Sequence, residues 1–168
     1  MTDITHIGII GVGKLGLCFA LNLERSGFKV CATDIDTKHL DSLENKTLIS
    51  DEPDVNVLLG KASNLILDSS LQAFLDNPIT DIFVMVATPT SAHNGYDHSQ
   101  VNSLCDDLMA FGRQPEQRHL YIGCTTMPGY CSELAEKLNP YNWTVSYNPE
   151  FIAQGTVIYN QRHPDQVL

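Results

Sequence analysis

The stretch Ile9-Ile10-Gly11-Val12-Gly13-Lys14-Leu15-Gly16-Leu17 decides the fold of this 168-residue chain. Residues 4–10, just before it, form a largely apolar run bounded by glycine, the pattern of a strand buried on both faces as in parallel sheets. Behind it, Gly16, Phe19, Ala20 and Leu23 recur at i, i+3, i+4 and i+7, which predicts a helix with one apolar face, and Gly27 marks its stop. The glycines therefore fall between a strand and a helix in the order G-x-G-x-x-G. Gly11 permits the tight turn, Gly13 lets the backbone come close to a pyrophosphate, and Gly16 allows the helix to pack against the strand. The N–H groups at the start of the helix then face the anion. With this context, Gly11, Val12, Gly13, Lys14, Leu15 and Gly16 are read as a dinucleotide-binding loop.

Outward from the loop the same alternation repeats. Residues 28–34 read as a second strand, 37–43 as a short helix, and 64–68 as a third strand after a looser stretch containing Pro53. A helix at 70–75 leads back to residues 82–87, the strongest strand of the chain. Val101, Leu104, Cys105 and Leu108 mark the apolar stripe of the next helix. Strands at 120–124 and 144–147 flank a helix at 132–138. Strands that alternate with helices call for crossover connections, so the expected fold is α/β: a Rossmann-like, doubly wound, mostly parallel sheet with helices on both faces. No internal linker or repeat divides it, and 1–168 reads as one domain.

Composition narrows the partners. A formal net charge of −10 repels phosphate backbones and anionic membranes, which argues against nucleic-acid and membrane partners. No apolar run reaches the length of a spanning helix, and Met1-Thr2-Asp3 opens no signal peptide, so a cytoplasmic protein is expected. Cys18, Cys31, Cys105, Cys124 and Cys131 contain no C-x-x-C pair and read as reduced, mostly buried thiols. The histidines form no cluster of metal spacing, and no metal is expected.

Further site signals lie at predicted strand ends, where ligands bind in open α/β sheets. Asp34 follows Gly16 by eighteen residues, close to the spacing of the acid that binds an adenosine ribose diol, and its charge disfavours a 2′-phosphate. NAD rather than NADP is the expected cofactor. Asp36 reads as a helix cap. Val86-Ala87-Thr88-Pro89-Thr90 ends the strand at 82–87 and is followed by a polar loop, 91–98. Cys124-Thr125-Thr126 and Asn148-Pro149-Glu150-Phe151 end two more strands, so polar groups from several strands converge on one edge.

These blocks, with Asp51-Glu52-Pro53, Asn94-Gly95-Tyr96-Asp97, Cys124 to Gly129 and Asn148 to Gly155, resemble in order and spacing the UDP-glucose/GDP-mannose dehydrogenase family over nearly the whole chain. Such enzymes use NAD to oxidise the C6 alcohol of a nucleotide sugar twice, through an aldehyde held on a cysteine, to a carboxylate for polysaccharide building. The resemblance implies that Thr125 helps position a catalytic water and that Glu150 works as an acid/base. It also implies cofactor contacts from Lys38 or His39, from Val86 to Thr90, from Cys124, Thr125 and Thr126, and from Gln154. Substrate contacts fall on Glu150, Phe151, Ile152, Ala153 and Gln154, and the complete enzyme is implied to be a homo-oligomer.

The departures are specific. Cys124 and Thr126 replace a usual serine and valine around the threonine, and Gln154 stands where the family commonly has an acid. His39 takes the position of a basic residue. The family's nucleophilic cysteine motif, its central dimerisation helix with a catalytic lysine, and its C-terminal UDP-sugar domain are not in the sequence. Pro164 to Leu168 reads as a turn feeding a new strand, so a truncated chain, inactive alone, is expected. A stand-alone NAD-binding or partner-binding module without catalysis is the second reading, and a gene that continues past Leu168 into a second domain would separate the first from it. A third reading is another dehydrogenase with a similar N-terminal domain, of the 6-phosphogluconate or hydroxyacyl-CoA type, against which the N-P-E-F block argues.

Overall fold

The computed structural model describes residues 5–91, 95–152 and 154–164. Its main sheet contains β1 (His6–Ile10), β2 (Lys29–Thr33), β3 (Leu65–Asp68), β4 (Asp81–Val84), β7 (Arg118–Ile122) and β8 (Trp143–Tyr147). Five parallel pairings join these six strands in the order β3-β2-β1-β4-β7-β8. The first half winds outward from β1 through α1 (Lys14–Arg25), α2 (Thr37–Glu44) and α3 (Val55–Lys61). The chain then crosses back through α4 (Gln72–Asp76) to β4 on the other side of β1, and continues through α5 (Ser99–Ala110) and α6 (Tyr130–Leu138). The order thus reverses at β1, where the connections on either side diverge and leave a crevice at the strands' carboxyl ends.

Both faces of the sheet carry a core, as an all-parallel sheet requires. On one face Ile82, Val84, Leu120, Ile122 and Trp143 pack with Leu104 and Leu108 of α5 and Leu134 and Leu138 of α6. On the other, Ile9, Val30 and Ala32 pack with Leu17 and Leu21 of α1. A last helix, α7 (Val157–Arg162), buries Val157 and Ile158 against that second core.

Several elements differ from expectation. β4 ends at Val84, not at residue 87: Met85 N–H still donates to the Ile10 carbonyl at 2.7 Å, but the chain then leaves the sheet towards Pro89, which has no N–H to give a ladder. The stretch containing Pro53 is irregular up to Asp54 but then holds an unexpected helix. Asp54 takes a left-handed backbone (φ +67) and α3 follows, with Val55, Leu58 and Leu59 on its apolar face. The loop after Pro89 holds a short antiparallel pair, β5 (Thr90–Ser91) with β6 (Gly95–Tyr96). Pro164 is described, whereas the strand expected at the end of the chain, like Ala153 and Asn94, lies outside the described residues.

The seat of α1 rests on two glycines. Gly11 adopts φ +90, and a Cβ there would press on the Met85 backbone at 2.9 Å. A Cβ on Gly16 would overlap the Gly11 carbonyl oxygen. Alanine favours helices over glycine by roughly 1 kcal/mol, but an overlap with backbone forces α1 off the strand. Gly16→Ala is therefore expected to destabilise the fold by about 1–3 kcal/mol in urea unfolding; equal or higher stability would show that α1 has room to shift.

Candidate functional site

The crevice at the reversal point is a cleft of about 980 Å³, at the upper end of the range for small-molecule sites. Its floor is the glycine loop, with Gly11, Gly13, Lys14 and Leu15. Thr33 at the end of β2 with Asp34 and Ile35 beyond it, and Ser69, Ser70 and Leu71 after β3, form one side, and Met85, Val86 and Ala87 after β4 the other. Gln100, Ser103, Leu104, Asp107 and Phe111 along and beyond α5 close it.

Gly13 is the N-cap of α1 and offers no side chain to the helix's first N–H groups. A Cβ on Gly13 would meet nothing within 4 Å, so the backbone there borders open space. Unpaired donors, a helix N-terminus and room for close approach fit a pyrophosphate. Asp34 lies one residue beyond β2, and its carboxylate is fixed by two backbone donors, Val12 N–H at 2.9 Å and Asp36 N–H at 3.0 Å. A carboxylate accepts about four hydrogen bonds, so capacity remains for a ribose diol. His39 Nε2–H donates to the Val12 carbonyl at 2.8 Å, and Asp36 caps α2 by accepting His39 N–H at 3.0 Å. Lys38 is exposed on α2. Val12 is thus buried and held by Asp34 and His39, while Gly16 is buried under the loop.

The other expected residues do not line this cleft. Thr88, Pro89 and Thr90 follow β4, Cys124, Thr125 and Thr126 follow β7, and Glu150 follows β8, all at the same carboxyl edge because the strands are parallel. Thr125 is exposed, whereas Cys124 is buried and Thr126 Oγ1 lies 3.8 Å from Cys131 Sγ. Phe151 and Gln154 are exposed and Ile152 is packed on the α1 core.

Glu150 is half-buried, and burial pushes its carboxyl above the usual glutamate range while a hydrogen bond from Gln161 pulls the other way. A folded-state pKa above the unfolded one contributes stability at acid pH that is lost as pH rises through the ordinary glutamate range to the raised value. Glu52 has no role that sequence reasoning assigns. It is 2% exposed and accepts Gly155 N–H at 2.7 Å and Val157 N–H at 3.3 Å. Lys14 Nζ lies 3.2 Å from Asp51 and 3.9 Å from Glu52, so the Asp51-Glu52 pair joins the glycine loop to the start of α7. Asn22 and Gln161 likewise escape sequence reasoning, and neither has a local signal: both act over more than a hundred residues.

A doubly wound sheet whose reversal point carries this loop and this aspartate defines a dinucleotide-binding Rossmann domain. Sequence comparison narrows the class: the family described as "UDP-glucose/GDP-mannose dehydrogenase family, NAD binding domain" matches residues 5–168, and the chain belongs to it. Among curated relatives, the UDP-glucose 6-dehydrogenase YwqF of Bacillus subtilis is 24% identical over 172 residues, covering 97% of this chain and 38% of that protein. The UDP-glucose dehydrogenase of Pyrobaculum islandicum superimposes with a TM-score of 0.85 at 21% identity, over 99% of this chain and 40% of the other. A ternary complex of the GDP-mannose dehydrogenase of Pseudomonas aeruginosa gives 0.83 at 22% identity, over 92% and 38%. The chain thus spans about two-fifths of the length of these proteins. Its cofactor is NAD, the ligand of the family's domain.

Among the described residues no helix is long and apolar enough to cross a membrane, and no group of three or more His, Cys, Asp or Glu could hold a metal ion. The thiols are poorly suited to nucleophilic attack. Burial pushes Cys31, Cys105 and Cys124 up to about 11 and, helped by Glu52 and Glu150, Cys18 up to about 12. Cys131 is raised as well, by burial. Native protein at pH 7 is expected to react slowly with a thiol reagent such as dithionitrobenzoate, Cys131 first, with all five thiols released in denaturant. Fast labelling of Cys124 in the folded chain would contradict this account.

Proposed function

We propose that this chain is the cofactor half of a nucleotide-sugar 6-dehydrogenase, holding NAD for the two-step oxidation of a sugar C6 alcohol to a carboxylate. The observation that carries the reading is Asp34 fixed against the glycine loop at the sheet's reversal point. Asp34 would hold the adenosine ribose of NAD and the N–H groups at the start of α1 its pyrophosphate. Val86 to Thr90 and Cys124 to Thr126, at the ends of β4 and β7, would border the cofactor, and the chemistry it would supply is hydride acceptance.

On this reading Thr125 orients a water with its exposed hydroxyl, and Glu150 takes and returns protons, for which a carboxyl raised by burial is suited. Phe151, Ile152, Ala153 and Gln154 border the nucleotide sugar. The thiol that holds the aldehyde and most of the sugar site belong to sequence outside these residues, in keeping with the raised thiols of this chain. The complete enzyme is then a cytoplasmic homo-oligomer acting in polysaccharide synthesis.

Calorimetric titration is expected to give weak NAD binding and weaker NADP binding. Asp34→Ala should weaken NAD by about 1–3 kcal/mol, roughly 5- to 150-fold in Kd, from two lost ribose hydrogen bonds at about 0.5–1.5 kcal/mol each. Equal affinity for NADP would remove Asp34 from the ribose site.

With saturating NAD, the 168-residue chain is expected to form no NADH from UDP-glucose, UDP-N-acetylhexosamines or GDP-mannose. Steady turnover by clean protein would overturn the division of the site between this chain and residues outside it.

A further inference from the structure

Glu150 is not held by a cation. Its partner is a carboxamide on α7: Gln161 Nε2 donates to both carboxylate oxygens, at 3.1 and 3.0 Å. One nitrogen equidistant from the two oxygens sits on the bisector of the carboxylate and restrains its rotation. The same nitrogen lies 3.4 Å from the Leu15 carbonyl, in the first turn of α1.

The direction of that amide is itself fixed. Asn22 on α1 is buried, and its Nδ2 donates to the Ile158 carbonyl at 3.2 Å and to Gln161 Oε1 at 3.0 Å. A carbonyl can only accept, so the nitrogen of Asn22 must face α7. Gln161 must then offer its oxygen to Asn22 and its nitrogen to Glu150. Reversing Gln161 would set two donors against each other at one end and an oxygen against the carboxylate at the other. Polarity runs one way from Asn22 through Gln161 to Glu150.

We propose that Gln161 is the positioning residue of Glu150, with Asn22 as its anchor, so that α7 sets the orientation of the carboxylate beside the glycine-loop helix. The inference rests on the acid/base reading of Glu150 for its catalytic meaning, but not for its test. Among the described residues Cys18 on α1 feels the charge of Glu150, and also that of Glu52 and Lys14, the latter paired with Asp51. Lys14, Cys18, Asp51 and Glu52 are unaltered in the variants below.

The test is the titration of Glu150 in the isolated chain, tracked by carboxyl-carbon NMR with Glu150→Gln to assign the signal. Gln161→Leu is expected to move the midpoint upward, because burial persists while the donor that favours the charged form is gone. Gln161→Glu, close in shape, should move it further up by placing a like charge beside the carboxylate. Asn22→Ala should give a smaller upward move, since Gln161 keeps its donor but loses its anchor. An unchanged midpoint in folded Gln161→Leu or Gln161→Glu would overturn the proposal; if the leucine variant fails to fold, the near-isosteric Gln161→Glu decides it. Should the midpoint respond while Glu150→Gln leaves the turnover of a longer, active protein intact, the positioning stands and the acid/base reading falls.

Discussion

The contact on which the rest of the structure depends is the one between Gly16 and the Gly11 carbonyl. With no side chain between them, α1 starts directly on the end of β1. That seat aims the unpaired N–H groups of the helix into the crevice and brings Val12 N–H within reach of Asp34. It also fixes where Leu15 and Asn22 fall, and hence where α7 can dock. Cofactor chemistry and the surroundings of Glu150 therefore share one steric requirement, although they belong to opposite ends of the chain.

Asp34 and Glu150 illustrate how environment divides similar groups. Asp34 is met by two backbone N–H donors, which fix the direction of its carboxylate. Glu150 is half-buried with a single neutral amide as partner, so desolvation outweighs hydrogen bonding and its proton is held more tightly. An ion pair in place of Gln161 would keep Glu150 charged over a wider range of pH.

What was legible in the sequence was local. The strand, glycine turn and helix succeed one another within twenty residues, and Asp34 lies at a spacing set by one crossover, so both could be read from the order of residues. The alternation of strands and helices also carried the parallel sheet. Element ends were less clear: apolar Val86 and Ala87 extended the apparent strand at 82–87, yet they line the cleft. α3 was hidden because Pro53 and Asp54 carry loop signals, and only the left-handed turn at Asp54 lets a helix start there.

The links that hold Glu150 have no local counterpart. Asn22 and Gln161 are separated by 139 residues, and each alone is an ordinary polar residue on a helix. Glu52, 103 residues before Gly155, belongs to the same arrangement, since it accepts the N–H of Gly155 just ahead of α7 and that of Val157 at its start. α7 has only six residues, too few to be stable by propensity, and it exists because Val157 and Ile158 are buried and the N–H of Val157, its first residue, is accepted by Glu52. The same short helix then carries Gln161 to Glu150. A helix held by contacts with α1 and the Glu52 segment thus ties the Glu150 carboxylate to the start of the glycine-loop helix, across most of the length of the chain.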